Sequence, residues 1–245
     1  MMQFEKVSYR YPMGQEALSD LSFDLNDGRC IGLIGPSGAG KSTIFNLLLG
    51  TIRPSFGSVN KKYAPISYGR KNQRDHFKDV GLVFQNPEDQ LLNPMVFDEV
   101  AYGYKNLGTD LHKTELVVKM ALEAVKLKGY EKRYVQSLSF GEKKRLSVAS
   151  ILVMSQPLVL LDEPTAGLDP RAVAQMVTLI QELTAKGIRT LIASHDMNFI
   201  AAVCDQVFLI DQGQLIIKGC KEKVFSDVSL LENSGLEQPY HYRKK

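Results

Sequence analysis

The apolar positions along the chain change period several times, and each change marks an element. Val7, Tyr9 and Tyr11 alternate with polar neighbours, as do Leu21, Phe23 and Leu25. A period of two predicts half-buried strands, and Pro12-Met13-Gly14 supplies the turn between them. Residues 30–34 form a continuous apolar run, the pattern of a strand covered on both faces. A glycine-rich stretch comes next, then an apolar segment over 42–49 that ends at Gly50. The order is strand, loop, helix, with glycine as the stop. Within residues 110–128, Leu116, Met120, Ala124 and Leu127 recur at three- and four-residue spacing before Gly129, which predicts an amphipathic helix with those four on its buried face. A second helix is expected from Ser139 to about residue 154. Residues 86–155 are therefore expected to form a mostly helical subdomain inserted in an α/β core.

The core pattern then resumes. Residues 158–161 read as a buried strand, and Asp169-Pro170 starts a helix with Asp as cap and Pro at the first helical position. Gly187 lies near its end, 190–193 is another short strand, and 207–210 with 214–217 form a hairpin around Asp211-Gln212-Gly213. The segment 234–245 is polar, ends in Arg243-Lys244-Lys245, and is expected to be loosely held.

Composition narrows the class. The chain has 245 residues, 44% hydrophobic and 23% charged, enough for one large α/β domain with a real core. Lys+Arg 30 against Asp+Glu 27 leaves +3, without the basic excess of a dedicated nucleic-acid binder. No apolar run approaches the ~18–20 residues of a membrane span. The opening Met1-Met2-Gln3-Phe4-Glu5 has neither a basic nor an apolar leader region, so no signal peptide is expected. Cys30, Cys204 and Cys220 are few and odd in number, with no C-x-x-C pair. That argues against a disulfide framework or a zinc site and for a reducing compartment.

Candidate chemistry begins at Gly35-Pro36-Ser37-Gly38-Ala39-Gly40-Lys41-Ser42, which fits G-x-x-x-x-G-K-[ST]. Glycines let successive N–H groups turn inward on phosphate oxygens, and the helix N-terminus that follows adds partial positive charge. Lys41 is placed to reach the β- and γ-phosphates and the Ser42 hydroxyl to bind Mg²⁺. The strand over 158–161 ends in Asp162 and Glu163. Parallel strands of an open α/β sheet deliver their C-terminal ends to the ligand crevice, so Asp162 is a candidate Mg²⁺ ligand and Glu163 a candidate base for water. Gln85 also follows an apolar strand pattern and offers an amide oxygen to Mg²⁺ or its water. His195 follows the 190–193 strand and is a candidate phosphate contact. Ser194-His195-Asp196 does not imply a catalytic triad, whose members meet in space and not in sequence. Ser139 and Glu142 have the spacing of a capping box. That segment is either an ordinary helix cap or a helix N-terminus offered to a phosphate, and composition does not choose between them.

Taken in order, the phosphate loop, Gln85, 138–142, 158–163, Asp169 and His195 resemble the ABC-type ATPase family over essentially the whole chain. The resemblance implies an α/β fold with a P-loop ABC-type ATPase core (1–85 and 156–233), an antiparallel β subdomain, and an inserted α-helical subdomain at 86–155 carrying the signature motif. By this resemblance the phosphate loop is Walker A, extended by Thr43, and 158–163 is Walker B. Gln85 is the Q-loop glutamine, Ala166-Gly167-Leu168-Asp169 the D-loop, and His195 the switch histidine. Leu138-Ser139-Phe140-Gly141-Glu142 matches the signature Leu-Ser-Gly-Gly-Gln, departing at Phe140 and Glu142. Tyr11 matches the aromatic that stacks on adenine, with Tyr9 a competitor on the same face.

The resemblance further implies a head-to-tail dimer with a second ABC ATPase subunit, identical or different. The Ser139 and Gly141 N–H groups of one subunit would close on ATP held by the other, and Asp169 would bridge the two sites. Glu163, His195 and Lys41 would be catalytic, with ATP and Mg²⁺ as cofactors and Ser42, Gln85 and Asp162 on the metal. Asn86-Pro87-Glu88-Asp89-Gln90-Leu91 and Asp98-Glu99-Val100-Ala101-Tyr102-Gly103 narrow the resemblance to ATPase subunits of energy-coupling factor (ECF) importers. Those take up transition-metal ions such as cobalt or nickel, or vitamins such as biotin. The expected partners are transmembrane coupling and substrate-binding subunits, not nucleic acid, and the expected location is the cytoplasmic face of the membrane. The rivals are a soluble ABC-type ATPase acting on DNA or the ribosome, which typically carries a coiled coil, zinc modules or tandem cassettes, and a catalytically inactive nucleotide-binding partner subunit.

Overall fold

The computed structural model describes residues 2–69, 76–108 and 110–243; Met1 and the terminal Lys244 and Lys245 lie outside the described residues. The chain divides into two compact units, 1–77 with 189–245, and 78–188.

In the first unit, alternation becomes an antiparallel sheet of order β2-β1-β4-β5, made of β1 (Met2–Arg10), β2 (Glu16–Asp24), β4 (Phe56–Lys61) and β5 (Ala64–Pro65). Phe4 pairs with Phe23 across β1–β2, and their rings stack at 4.5 Å. Phe208 joins them at 5.4 Å from Phe23, so aromatic area closes this core. The continuous apolar run becomes β3 (Cys30–Ile34), buried throughout. It runs parallel to β8 (Arg189–Ala193) on one side and β9 (Gln206–Asp211) on the other. β9 turns back into β10 (Gln214–Cys220) through Gln212 and Gly213, both at positive φ. A two-residue turn with two left-handed positions matches the twist of its strands. Helices α1 (Lys41–Leu48), α6 (Met197–Val203), α7 (Lys221–Ser226) and α8 (Val228–Asn233) complete the unit.

Two sequence expectations change here. β4 was not anticipated, because Phe56-Gly57-Ser58 carries no alternation and the strand is made by its partner β1. The segment after Asn233 is held and not loose. Leu236 is buried, the Gln238 side chain donates to the Phe225 carbonyl at 2.8 Å, Tyr240 N–H donates to Asn198, and the Tyr242 ring packs on Phe225. Polar composition concealed those few anchors. Cys30 and Cys204, distant in sequence, bring their thiols within 3.6 Å of each other in the buried interior and are not joined by a disulfide.

In the second unit, β6 (Val80–Val83) runs parallel to β7 (Leu158–Asp162). Helices α2 (Val96–Asn106), α3 (Thr114–Ala124) and α4 (Phe140–Leu152) pack on one another, and α5 (Pro170–Ala185) follows β7. The compact unit is thus wider than residues 86–155, since β6, β7 and α5 fold with the helices. Inside α2, Glu99 is buried, yet its carboxylate accepts the N–H groups of Leu92 and Asn93 at 2.9 and 2.7 Å, which offsets the cost of its burial.

The phase expected for α3 is corrected. Val118, Ala121 and Leu122 face inward, while Leu116 is 59% and Met120 62% exposed. The helix is apolar on more than one side, so spacing alone admitted two stripes, and packing against α2 and α4 selected the one centred on Leu122. Among the described residues no helix is long and apolar enough to cross a membrane. In urea denaturation, Leu122→Ala is expected to cost about 2–5 kcal/mol of stability. Leu116→Ser should stay within about 0.5 kcal/mol of wild type.

Candidate functional site

The first unit carries the phosphate loop. Gly35 leaves β3 at φ 152° against the Ile210 carbonyl, so closely that an added Cβ would overlap that oxygen. The loop therefore starts where only a glycine fits. Its far side is also fixed: Ala39 is buried, and its carbonyl accepts the Gly213 N–H at 3.2 Å. The Gly213 carbonyl accepts from Ser19 N–H at 2.9 Å, so the β9–β10 turn lies between the loop and β2. The Lys41 ammonium donates back to the carbonyls of Gly35 and Pro36 at 2.6 and 2.9 Å. The loop is a closed ring of backbone capped by its own cation. Pro36 is half-buried, while Ser37, Gly38 and Ser42 are solvent-facing; Gly40 is the residue before α1. A side-chain-free turn with a cation at a helix start suits a polyphosphate.

Tyr11 joins this group, for its hydroxyl shares a hydrogen bond with Thr43 Oγ1 at 3.0 Å. Tyr9 meets Tyr11 edge-on at 5.0 Å. Of the two, it is Tyr11 that is tied to the loop. His195 reaches the same sheet edge by register. Leu33 pairs with Ala193, and Gly35 and His195 each follow two residues later. His195 is exposed, whereas its neighbours have structural roles: Ser194 is buried, and the Asp196 carboxylate caps α6 by accepting from Phe199 N–H at 3.0 Å.

The second unit repeats that register. Val83 pairs with Leu161, and Gln85 and Glu163 each follow two residues later, with Asp162 as the last residue of β7. Glu163 sits at φ 44°, a left-handed position that a side chain rarely adopts. Lys144 from α4 lies behind both ends. Its side chain is 1% exposed, and its ammonium donates to the Gln85 carbonyl and, at 3.0 Å, to the Glu163 carbonyl. Burial pulls this ammonium down to about 8, against the pull of the Asp162 and Glu163 carboxylates in the other direction.

The segment after Gln85 is fastened to the same helix. Asn86 caps a short turn over Pro87–Asp89. The Gln90 side chain accepts from Phe84 N–H and donates to the Ser147 carbonyl at 2.8 Å and the Ser150 hydroxyl at 2.9 Å. Lys143 pairs with Glu88 at 2.6 Å. Sequence reasoning did not single out Lys144 or the Gln90 tie. The available signal was helical phase: Lys144 stands four residues before the buried Val148, on a face that an exposed lysine avoids.

Ser139 and Glu142 form the full capping box. The Ser139 N–H donates to the Glu142 carboxylate at 2.8 Å, and Glu142 N–H donates to Ser139 Oγ at 3.3 Å. This corrects the expectation that the Ser139 N–H faces a phosphate, because the carboxylate occupies it. What the helix start offers is the Ser139 hydroxyl and the first-turn N–H groups at Phe140 and Gly141. Phe140, where the family signature has Gly, lays its ring against Gly167. Asp169 caps α5, accepting from Ala172 N–H at 2.8 Å. A cavity between these elements is lined by Ser139, Gly141, Arg145, Asp169 and Arg171.

Comparisons with known proteins place the chain in a family. The ABC transporter family pattern matches residues 18–166. The chain is 39% identical to the energy-coupling factor transporter ATP-binding protein EcfA of Methanocaldococcus jannaschii, across 98% of this chain and 86% of that one. It is 40% identical to a putative ABC transporter ATP-binding protein of Listeria monocytogenes, across 98% and 90%. The solved structure of CbiO1 from Clostridium perfringens, described as part of the ABC transporter complex CbiONQ, superposes with a TM-score of 0.86. The two are 33% identical, with 95% of this chain and 93% of that one covered. The chain belongs to the ABC transporter family, and it is an ABC-type ATPase with the α/β fold of that family.

The capping box yields a prediction. Burial alone would raise the Glu142 carboxyl, but the Ser139 N–H, the Tyr130 and Ser139 hydroxyls and Arg145 outweigh it and leave the group below its ordinary value. A depressed carboxylate stabilises the fold above its unfolded value and stops doing so as the pH falls through the lower folded one. Glu142→Ala is expected to lose about 1–2 kcal/mol at neutral pH. Because that variant lacks the carboxylate, its deficit should shrink in acid denaturation curves. Glu142→Gln, which still accepts at the cap, should lose less than about 1 kcal/mol.

Proposed function

We propose that the chain is the ATP-hydrolysing subunit of an ECF-type importer. It would couple ATP turnover at a head-to-tail ATPase dimer to uptake of a transition-metal ion such as cobalt or nickel, or a vitamin such as biotin. Separate transmembrane coupling and substrate-binding subunits would carry the substrate, with this chain on the cytoplasmic face. The observation that carries the reading is the identity with an ECF ATP-binding protein over nearly the whole chain. It is supported by the Asn86–Gln90 segment, whose fastening to α4 gives that part of the resemblance a structural use.

In this reading the ring 35–43 holds the triphosphate by backbone N–H groups, and Lys41 turns from its carbonyls to the β- and γ-phosphates. Tyr11 stacks on adenine. The donor set of a hydroxyl, an amide oxygen and a carboxylate (Ser42, Gln85 and Asp162) suits a hard, oxygen-seeking ion such as Mg²⁺, which when bound neutralises phosphate charge. Glu163 accepts the proton of the attacking water as its oxygen bonds to the γ-phosphorus and the bond to the leaving oxygen of ADP breaks. His195 donates to the γ-phosphate oxygens. The hydroxyl of Ser139 and the first-turn N–H groups of α4 meet the γ-phosphate bound by the partner subunit, next to Asp169.

Glu163→Gln is expected to keep ATP binding and lose at least ~10²-fold in steady-state phosphate release; wild-type turnover would remove Glu163 as the base. Ser139→Arg is expected to abolish hydrolysis while isothermal titration of the monomer gives an unchanged ATP affinity. Full activity would leave 138–142 as a helix cap alone. For the transport role, affinity purification from detergent-solubilised native membranes should recover a small set of polytopic membrane proteins. Recovery of only soluble partners or nucleic acid would overturn it.

A further inference from the structure

We propose that Lys144 is a positioning residue for hydrolysis, its buried ammonium setting the ends of β6 and β7, and so Gln85 and Glu163, relative to the signature helix α4. The inference rests on the reading of Glu163 as the base and adds a residue to it. Lys144 does not touch the reacting atoms. It holds two backbone carbonyls, those of Gln85 and Glu163, from one nitrogen. Both carbonyls belong to residues two positions beyond paired strand residues, so the ammonium spans the two strand ends where the side chains leave the sheet. Glu163 is in a left-handed conformation. The direction of its carboxylate depends on what fixes that peptide, and Lys144 is bonded to its oxygen.

The helix that supplies Lys144 opens at Ser139, five residues earlier, and Phe140, one turn before Lys144, presents its ring 5.9 Å from the ammonium and rests on Gly167. A shift of the first turn of α4 therefore moves the nitrogen that holds Gln85 and Glu163. Three further ties, Gln90 to Ser147 and Ser150 and Lys143 to Glu88, keep the segment after Gln85 on the helix without Lys144. The fold thus has its own fastening here, which separates a stabilising role from a positioning one. A buried lysine that only filled space would be replaced by methionine at little cost, since apolar groups of similar volume often substitute for buried charge without loss.

The test uses the full chain and the variants Lys144→Met and Lys144→Gln, alone and combined with Glu163→Gln. Single-turnover hydrolysis, KM for ATP and thermal unfolding are the readouts. Lys144→Met is expected to lower kcat by about 10–100-fold with KM unchanged, as for the displacement of a general base. Lys144→Gln, shorter but still a donor, should lose about 3–10-fold. In the Glu163→Gln background neither change should slow the residual reaction further, because residues acting through one group are not additive. Wild-type kcat in Lys144→Met, equal losses in the Met and Gln variants, a rise in KM at constant kcat, or additive losses with Glu163→Gln would each overturn the proposal. If Lys144→Met does not fold, the Lys144→Gln pair decides by the same additivity. Wild-type turnover in Glu163→Gln alone refutes the base reading, whereas a slow Glu163→Gln beside a fast Lys144→Met refutes the positioning role only.

Discussion

One buried ammonium organises the second unit. Lys144 Nζ lies in the interior with two backbone carbonyls as its acceptors, each just past the end of a different strand. A buried cation is costly unless it is paired and hydrogen-bonded, so helix α4 and the ends of β6 and β7 are constrained together. Moving any of the three would leave a desolvated charge or an unsatisfied carbonyl. The strand ends that carry Gln85 and Glu163 are thus set by a side chain from outside the strands. Ties from Gln90 and Lys143 also hold the irregular segment after Gln85 on the helix.

The first unit solves a related problem mainly with backbone, helped by the Lys41 ammonium on the Gly35 and Pro36 carbonyls. A phosphate loop has to expose N–H groups on one face and still be rigid. Here the rigidity comes from the opposite face, where Gly35 presses on the Ile210 carbonyl and the Gly213 turn bonds both Ala39 and Ser19. The β9–β10 hairpin, remote in sequence, is part of the loop's foundation. Tyr11 is fastened to the same structure through Thr43, so an aromatic surface stands at a defined place beside the loop.

The two units use one device in common. In each, a pair of parallel strands in register delivers one candidate residue from each strand, two positions past the paired residues: Gly35 with His195, and Gln85 with Glu163. Parallel strands present their carboxyl ends on one edge, so chemistry spread over the sequence becomes local. The departures in the signature segment fit this economy. Glu142 completes a cap that Gln would also complete, and Phe140 fills the space over Gly167.

The sequence by itself determined the phosphate loop, the acidic strand end, the caps at Ser139 and Asp169 and the β9–β10 turn. Each depends on neighbours within a few residues, where spacing and backbone chemistry are nearly sufficient. The family followed from the order of those motifs. Tertiary structure decided what local pattern leaves degenerate. α3 is apolar on more than one side, and only its partners chose Leu122 over Leu116 as core. β4 has no alternation and exists because β1 pairs with it. The tail after Asn233 is polar in composition but held by Leu236, Gln238 and Tyr242. Lys144 stands between Lys143 and Arg145 with no local motif to mark it, and its acceptors lie 59 and 19 positions away. Which lysine is buried is a property of packing, because the free energy of a charge depends on its surroundings and not on its place in the chain.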